Sequence, residues 1–260
     1  MKFAVLPRIF VLTLAATFAL ALTGCGFFNS GSNHHPALTP GNWSISATST
    51  NSENAFLIGG NMTQSGNSLT GKMYITGGDP GCNFDPAQAV AMTGTVNGST
   101  IAISSAAISE QVITVAASGS GSSFSGTYSI AGGNCGGDQG KVAGGAVPSI
   151  TGTWAGKVLV LGANATMSVA FTEATTPSAD GSFAVTGTVT YTGSACPATA
   201  TLVSSSIKGV NLTANTDSGV LYTPALDSAT APRNMSGDYD STGADCASSD
   251  GIQTVTLTKQ

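Results

Sequence analysis

Charge is the scarcest property of this 260-residue chain: charged residues make up 8%, against about 25% in an ordinary soluble domain. Eight Lys and Arg stand against thirteen Asp and Glu, a formal charge of −5. With so few cations there is no basic face to neutralise phosphates, and no nucleic-acid partner is expected. The 34 glycines, with Ser, Thr and Ala filling much of the rest, exclude a coiled coil, an ordinary helical bundle and a highly charged disordered tail.

The usual catalytic sets are missing too. His34 and His35 stand in a polar stretch ahead of the folded part, so neither serves Ser-His-Asp, Cys-His or His-zinc chemistry there. As an adjacent pair they read as a solvated spacer, not as metal ligands. Ser205-Ser206-Ile207-Lys208 fits Ser-x-x-Lys by count alone, beside an expected strand where that chemistry needs a helix start. Glu53, Glu110 and Glu173 mark no facing carboxylate pair. Asp238 and Asp240 alternate on one strand, with Asp245 and Asp250 following. Their spacing is not that of a calcium loop, and a solvated strand edge is expected. No catalytic residue, metal or cofactor is assigned, and an enzyme is not expected.

What is present begins at the N-terminus. Lys2 and Arg8 precede an apolar run from Ile9 to Leu22, followed by small residues, the order of a secretory signal. The run falls short of the about 20 residues a bilayer span needs. Leu22-Thr23-Gly24-Cys25 resembles the lipobox of bacterial lipoproteins. The resemblance implies diacylglycerol on the Cys25 sulfur, cleavage of residues 1–24 and acylation of the new N-terminus, a stable membrane anchor. Gly26, where an acidic residue favours inner-membrane retention in that family, implies the outer membrane. Cleavage also removes Lys2 and Arg8, making the mature chain more acidic. Residues 25–40 then read as the lipidated cysteine and a flexible tether.

The remainder is one module written twice. Trp43 and Trp154, Tyr128 and Tyr239, and Cys135 and Cys246 each stand 111 residues apart (154 − 43, 239 − 128, 246 − 135). A period this long means two whole domains, 41–147 and 148–260, not a solenoid. Within each copy apolar residues alternate, as at Met167, Val169 and Phe171 or Leu69, Met73 and Ile75, the period of half-buried antiparallel strands. Strands are expected near Trp43, Phe56, Leu69, Val90, Ile101, Val112, Phe124 and Val142. In the second copy they are expected near Trp154, Met167, Phe183, Thr199, Val210, Val220, Met235 and Thr254. The fold class is therefore all-β: two tandem antiparallel meander barrels of about eight strands each, with two β-sandwiches as the alternative. Gly41-Asn42-Trp43 and Gly152-Thr153-Trp154, each opening a meander, resemble the Gly-x-Trp of calycin barrels such as lipocalins and avidins. The resemblance implies that Trp43 and Trp154 plug the barrel floors; it carries over no ligand.

With Cys25 lipidated, four cysteines remain, two per repeat. The duplication selects Cys82–Cys135 and Cys196–Cys246 among the three pairings, separated by 53 and 50 residues (135 − 82, 246 − 196). Closing a loop of that size stabilises a domain by about 4 kcal/mol, and an exported chain meets an oxidising compartment. Free redox thiols or a metal site are the alternatives, with no Cys-x-x-Cys to support them. Each pair joins the loop after strand three to the loop after strand seven. In a closed barrel these lie on opposite sides of the mouth, so either the long 77–88 loop folds across it or the fold is a sandwich.

The expected function is that of an envelope lipoprotein, most simply a non-catalytic module binding a glycan, a small apolar ligand or a partner protein. A structural or assembly scaffold is the alternative. A calyx binder requires a ligand-sized cavity and a scaffold a filled interior. A surface binder requires an exposed aromatic patch, with Tyr74, Tyr191 and Tyr222 as candidates if their faces point outward.

Overall fold

The alternation closes into two antiparallel eight-stranded barrels. They are seen in a computed structural model that describes residues 37–52, 54–160, 162–193, 199–241 and 251–260. The first barrel comprises β1 (Gly41–Ser49), β2 (Ala55–Ser65), β3 (Ser68–Gly77), β4 (Val90–Asn97), β5 (Thr100–Ser105), β6 (Val112–Ser120), β7 (Ser123–Ala131) and β8 (Gln139–Ala146). The second comprises β9 (Gly152–Val160), β10 (Ala163–Glu173), β11 (Phe183–Thr192), β12 (Thr199–Lys208), β13 (Asn211–Thr216), β14 (Leu221–Leu226), β15 (Asn234–Asp240) and β16 (Ile252–Lys259). Within each barrel every strand pairs with its sequence neighbours, and β1–β8 and β9–β16 close the rings. Closure disposes of the sandwich alternative.

Strand β6 shows the local cause. Ile113, Val115 and Ala117 point inward and are buried, while Thr114, Ala116 and Ser118 face out, so one alternating run supplies both a core face and a wet face. The two interiors form separate hydrophobic clusters, one per barrel. The largest displacement of a strand start from its sequence expectation is at β10, which begins at Ala163 ahead of Met167.

Both tryptophans are fully buried where the chain enters each barrel. Trp43 Nε1 donates to the Thr39 carbonyl at 2.7 Å and Trp154 Nε1 to the Ile150 carbonyl at 2.8 Å, satisfying each indole within four residues. Trp43 also stacks on Phe124, ring centres 5.4 Å apart. The tether expected to extend to Pro40 ends earlier. Leu38 is buried in the first core, its N–H donates to Gln64 Oε1 at 2.8 Å, and Thr39 N donates to Gly121 O at 2.8 Å. A lone Leu among small residues shows no period, yet the barrel floor needs an apolar plug. In the second barrel Val147 and Ile150 join the core, and Glu173 Oε2 accepts the Ile150 N–H at 2.8 Å. Burial pushes the Glu173 carboxyl upward, opposed by that hydrogen bond, one from Ser149 and the Lys259 charge.

The floor-side loops of the second barrel rest on the wall of the first. The Asn42 side chain pairs in both directions with Gly209, Nδ2 to O at 2.9 Å and Gly209 N to Oδ1 at 2.7 Å. Gly209 lies at φ +59, and a Cβ there would stand 2.8 Å from Gly59 Cα, so this crossing requires glycine. Nearby, Asn61 N donates to Gly181 O at 3.0 Å and Lys72 Nζ to Ala179 O at 2.7 Å.

The seam of the second barrel is short. Only Gly156, Ala155 and Trp154 of β9 pair with Leu257, Thr258 and Lys259 of β16. Beyond them the Gln253 amide substitutes for the ladder, accepting from Leu159 N at 2.9 Å and donating to Leu159 O at 2.7 Å.

Candidate functional site

The mouth of the first barrel is lidded. After β3 the chain turns through a short 3-10 segment, Pro80–Cys82, whose start is capped by Asp79 accepting from Gly81 N. Cys82 bonds to Cys135 across the opening, with Cα atoms 5.2 Å apart. The 77–88 loop therefore folds over the mouth, which reconciles the closed barrel with the bond. Buried Gln111 ties both ends, its Nε2 donating to Cys82 O at 2.5 Å and its Oε1 accepting from Cys135 N at 3.1 Å. Asn54 receives the Asp79 N–H at 2.7 Å and donates to Asp138 Oδ2 at 3.1 Å. Tyr128 donates to the same carboxylate at 2.9 Å; burial, then Asp138, push its hydroxyl up to about 12. These groups satisfy one another, leaving a seal and not a reactive cluster.

Among the described residues the interior of the second barrel is filled. Met167, Phe171, Leu202, Tyr222 and Tyr239 help to line a cavity of about 10 Å³, which admits about one water and no ligand. Tyr191 and Tyr222, surface candidates only if their faces pointed outward, point inward and are buried. Tyr239 Oη donates to Tyr191 Oη at 3.2 Å, and Tyr222 donates to the Val255 carbonyl at 3.0 Å. Tyr191 shares parity with Val185 and Val189 on β11, which fixes its direction. Tyr74 does point outward, between inward Met73 and Ile75, but it too is buried. Its hydroxyl donates to Asp180 Oδ2 at 2.6 Å, and Lys208 Nζ stands 3.7 Å from its ring centre. The three tyrosines thus form no exposed aromatic patch.

The other singled-out residues have local roles. Ser205 Oγ accepts from Asn215 N at 2.9 Å beside a register shift in β12, while Lys208 covers Tyr74, so the two form no nucleophile–base pair. Glu110 is exposed in the loop before β6. Asp238 and Asp240 share the outer face of β15. Among the described residues no three His, Cys, Asp or Glu side chains converge on a metal position. Cys25, His34, His35, Glu53, Cys196, Asp245, Cys246 and Asp250 lie outside the described residues.

Two features of the outer surface were not read from the sequence. The first is a hollow of about 530 Å³ on β6–β8, walled by Thr114, Ala116, Thr127, Ser129, Gln139 and Lys141. Its hydroxyls come from the polar phase of the alternation, whose signal is indistinguishable from any wet strand face. The second is a set of exposed aliphatic side chains, Leu159, Val203, Leu221 and Ile252, all on the second barrel. No protein-family model, no curated protein and no solved structure matches this chain, so the residues and their geometry alone bear on function.

Proposed function

We propose that this chain is a lipid-anchored, non-catalytic module of the bacterial cell envelope, binding a partner protein with the outer faces of its barrels. The anchor rests on Leu22-Thr23-Gly24-Cys25, and Gly26 favours the outer membrane. A second disulfide, Cys196–Cys246, belongs to the same reading. The observation that carries the surface mode is the filled second interior, about 10 Å³ where a ligand pocket needs hundreds. The sealed mouth of the first barrel supports it.

Native mass spectrometry of the exported chain is the test. A protein mass with no retained small molecule is expected. A stoichiometric small molecule lost on enlarging a barrel-core residue, such as Ala214→Leu, would overturn the surface mode in favour of a calyx. The hydroxyl-walled hollow on β6–β8 favours one second reading, a neutral glycan site. A glycan array binding the wild type but not Thr127→Val would select it. A chain that binds neither protein nor glycan is the anchored scaffold.

A further inference from the structure

We infer that the crevice where the second barrel meets the first is a binding site for a neutral saccharide. The inference goes beyond the surface mode proposed above and concerns a different place from the hollow on β6–β8. Strands β2 and β3 pair Asn61 with Lys72 and Thr63 with Thr70. All four side chains belong to the outward phase, alternating with inward Met62, Leu69 and Met73. The turn between β10 and β11 lies against Asn61 and Lys72, leaving a crevice of about 320 Å³ walled by these four residues, Ser178 and Gly181. That volume is at the lower end of the about 300–1,000 Å³ of small-ligand sites, which favour domain junctions.

The turn is held in place. Ser178 N donates to Ser182 O at 2.8 Å and Gly181 N to Ser178 O at 2.9 Å, closing it on itself. Asn61 N donates to Gly181 O at 3.0 Å and Lys72 Nζ to Ala179 O at 2.7 Å, tying it to the first barrel. A Cβ at Gly181 would stand 2.2 Å from Lys72 O, so only glycine lets the turn come this close.

One group at this junction is unfinished. Asn61 Oδ1 is buried with no hydrogen-bond partner; among the described residues the other such atom is Ser241 Oγ, just past β15. Buried acceptors in native proteins are almost always satisfied, and an orphan calls for a donor. Asn61 as a whole is only half-buried, and its soft terminal torsion turns Oδ1 toward the crevice. The chemistry of the walls selects the donor. The Lys72 ammonium opposes an amine, and a bare anion brings Oδ1 no proton. A sugar hydroxyl does, and its neighbours accept from Lys72, which has N–H bonds beyond the one spent on Ala179. Thr63 and Thr70, their hydroxyls 3.1 Å apart, donate or accept at the rim.

The test titrates the isotope-labelled exported chain with cellobiose, N-acetylglucosamine and glucosamine, read by NMR. Saturable, fast-exchanging shifts at the Asn61 side-chain amide and the Gly181 N–H are expected with at least one of the two neutral sugars. Glucosamine should bind more weakly than N-acetylglucosamine. Asn61→Ala removes the orphan, and Ser178→Trp fills the crevice from an exposed position. Each should melt as the wild type does and bind at least about tenfold more weakly, whereas Thr127→Val should bind unchanged. No shift with either neutral sugar would overturn the inference, as would unchanged affinity in either crevice variant or tighter binding of glucosamine. So would shifts confined to β6–β8, which would put the sugar in the hollow. None of these outcomes touches the surface mode, which only the retained small molecule in native mass spectrometry overturns.

Discussion

Leu38 and Ile150 do the same work at different places in the chain. Each buries an aliphatic side chain beneath the tryptophan that opens its barrel. Leu38→Ala leaves a hole at the first floor and is expected to destabilise that barrel by about 2–5 kcal/mol, read by urea unfolding. An unchanged midpoint would mean that the residue packs only loosely. At this scale the sequence was partly legible. The parity of β11 already aligned Tyr191 with Val185 and Val189, so its inward direction could be read from spacing. Leu38 could not, because a single apolar residue between Ala37 and Thr39 has no period to betray it. Nor could the cover over Tyr74, since Asp180 lies 106 residues away and only the folded chain brings them to 2.6 Å.

Strands were the most legible level, because a closed barrel with one wet face imposes the alternation on every strand at once. Loops were less so. The length of 77–88 hinted at a lid, but Gln111 as its tie is visible only in the structure, since a buried amide and a solvated one look alike in sequence. The loop between β10 and β11 provides a pH-sensitive contact between the barrels. The Tyr74 hydrogen bond, opposed in part by burial, holds the Asp180 carboxyl at about 2, below its ordinary 3.8; Ser182 and the Lys208 charge add to the lowering. A depressed folded value means the contact contributes stability above pH 3.8 that is lost as pH falls toward 2. Thermal melting across that window should therefore show a steeper loss for wild type than for Asp180→Asn. Parallel slopes would remove Asp180 from the account.

For the whole molecule the duplication was the clearest signal, and the placement of one barrel on the other the least. The second barrel's contact with the first uses Gly59, Gly209 and Gly181, in a chain whose 34 glycines hide the ones that matter. The proposed placement in the envelope rests on Cys25. Metabolic labelling with a clickable fatty acid should mark the wild type and leave Cys25→Ala unlabelled; a labelled variant would rule out the proposed anchor.

The short seam between β9 and β16 has a consequence in time. A chain is made from its N-terminus, and domains generally fold as units in that order. All strands of the first barrel lie ahead of Val147, so a chain that emerges N-terminus first can complete that wall before the strands of the second barrel have all arrived. Strand β9 must wait for β16: Gly156 meets Leu257 only 101 residues later (257 − 156), the slow closure that distant strand pairings impose. Meanwhile the hairpin carrying Gly209 and the loop carrying Asp180 have already been made, and Gly59 and Tyr74 stand ready to receive them. Folding in that order would make the finished barrel a template for its successor, its Asn42–Gly209 and Tyr74–Asp180 contacts offering a surface already in place.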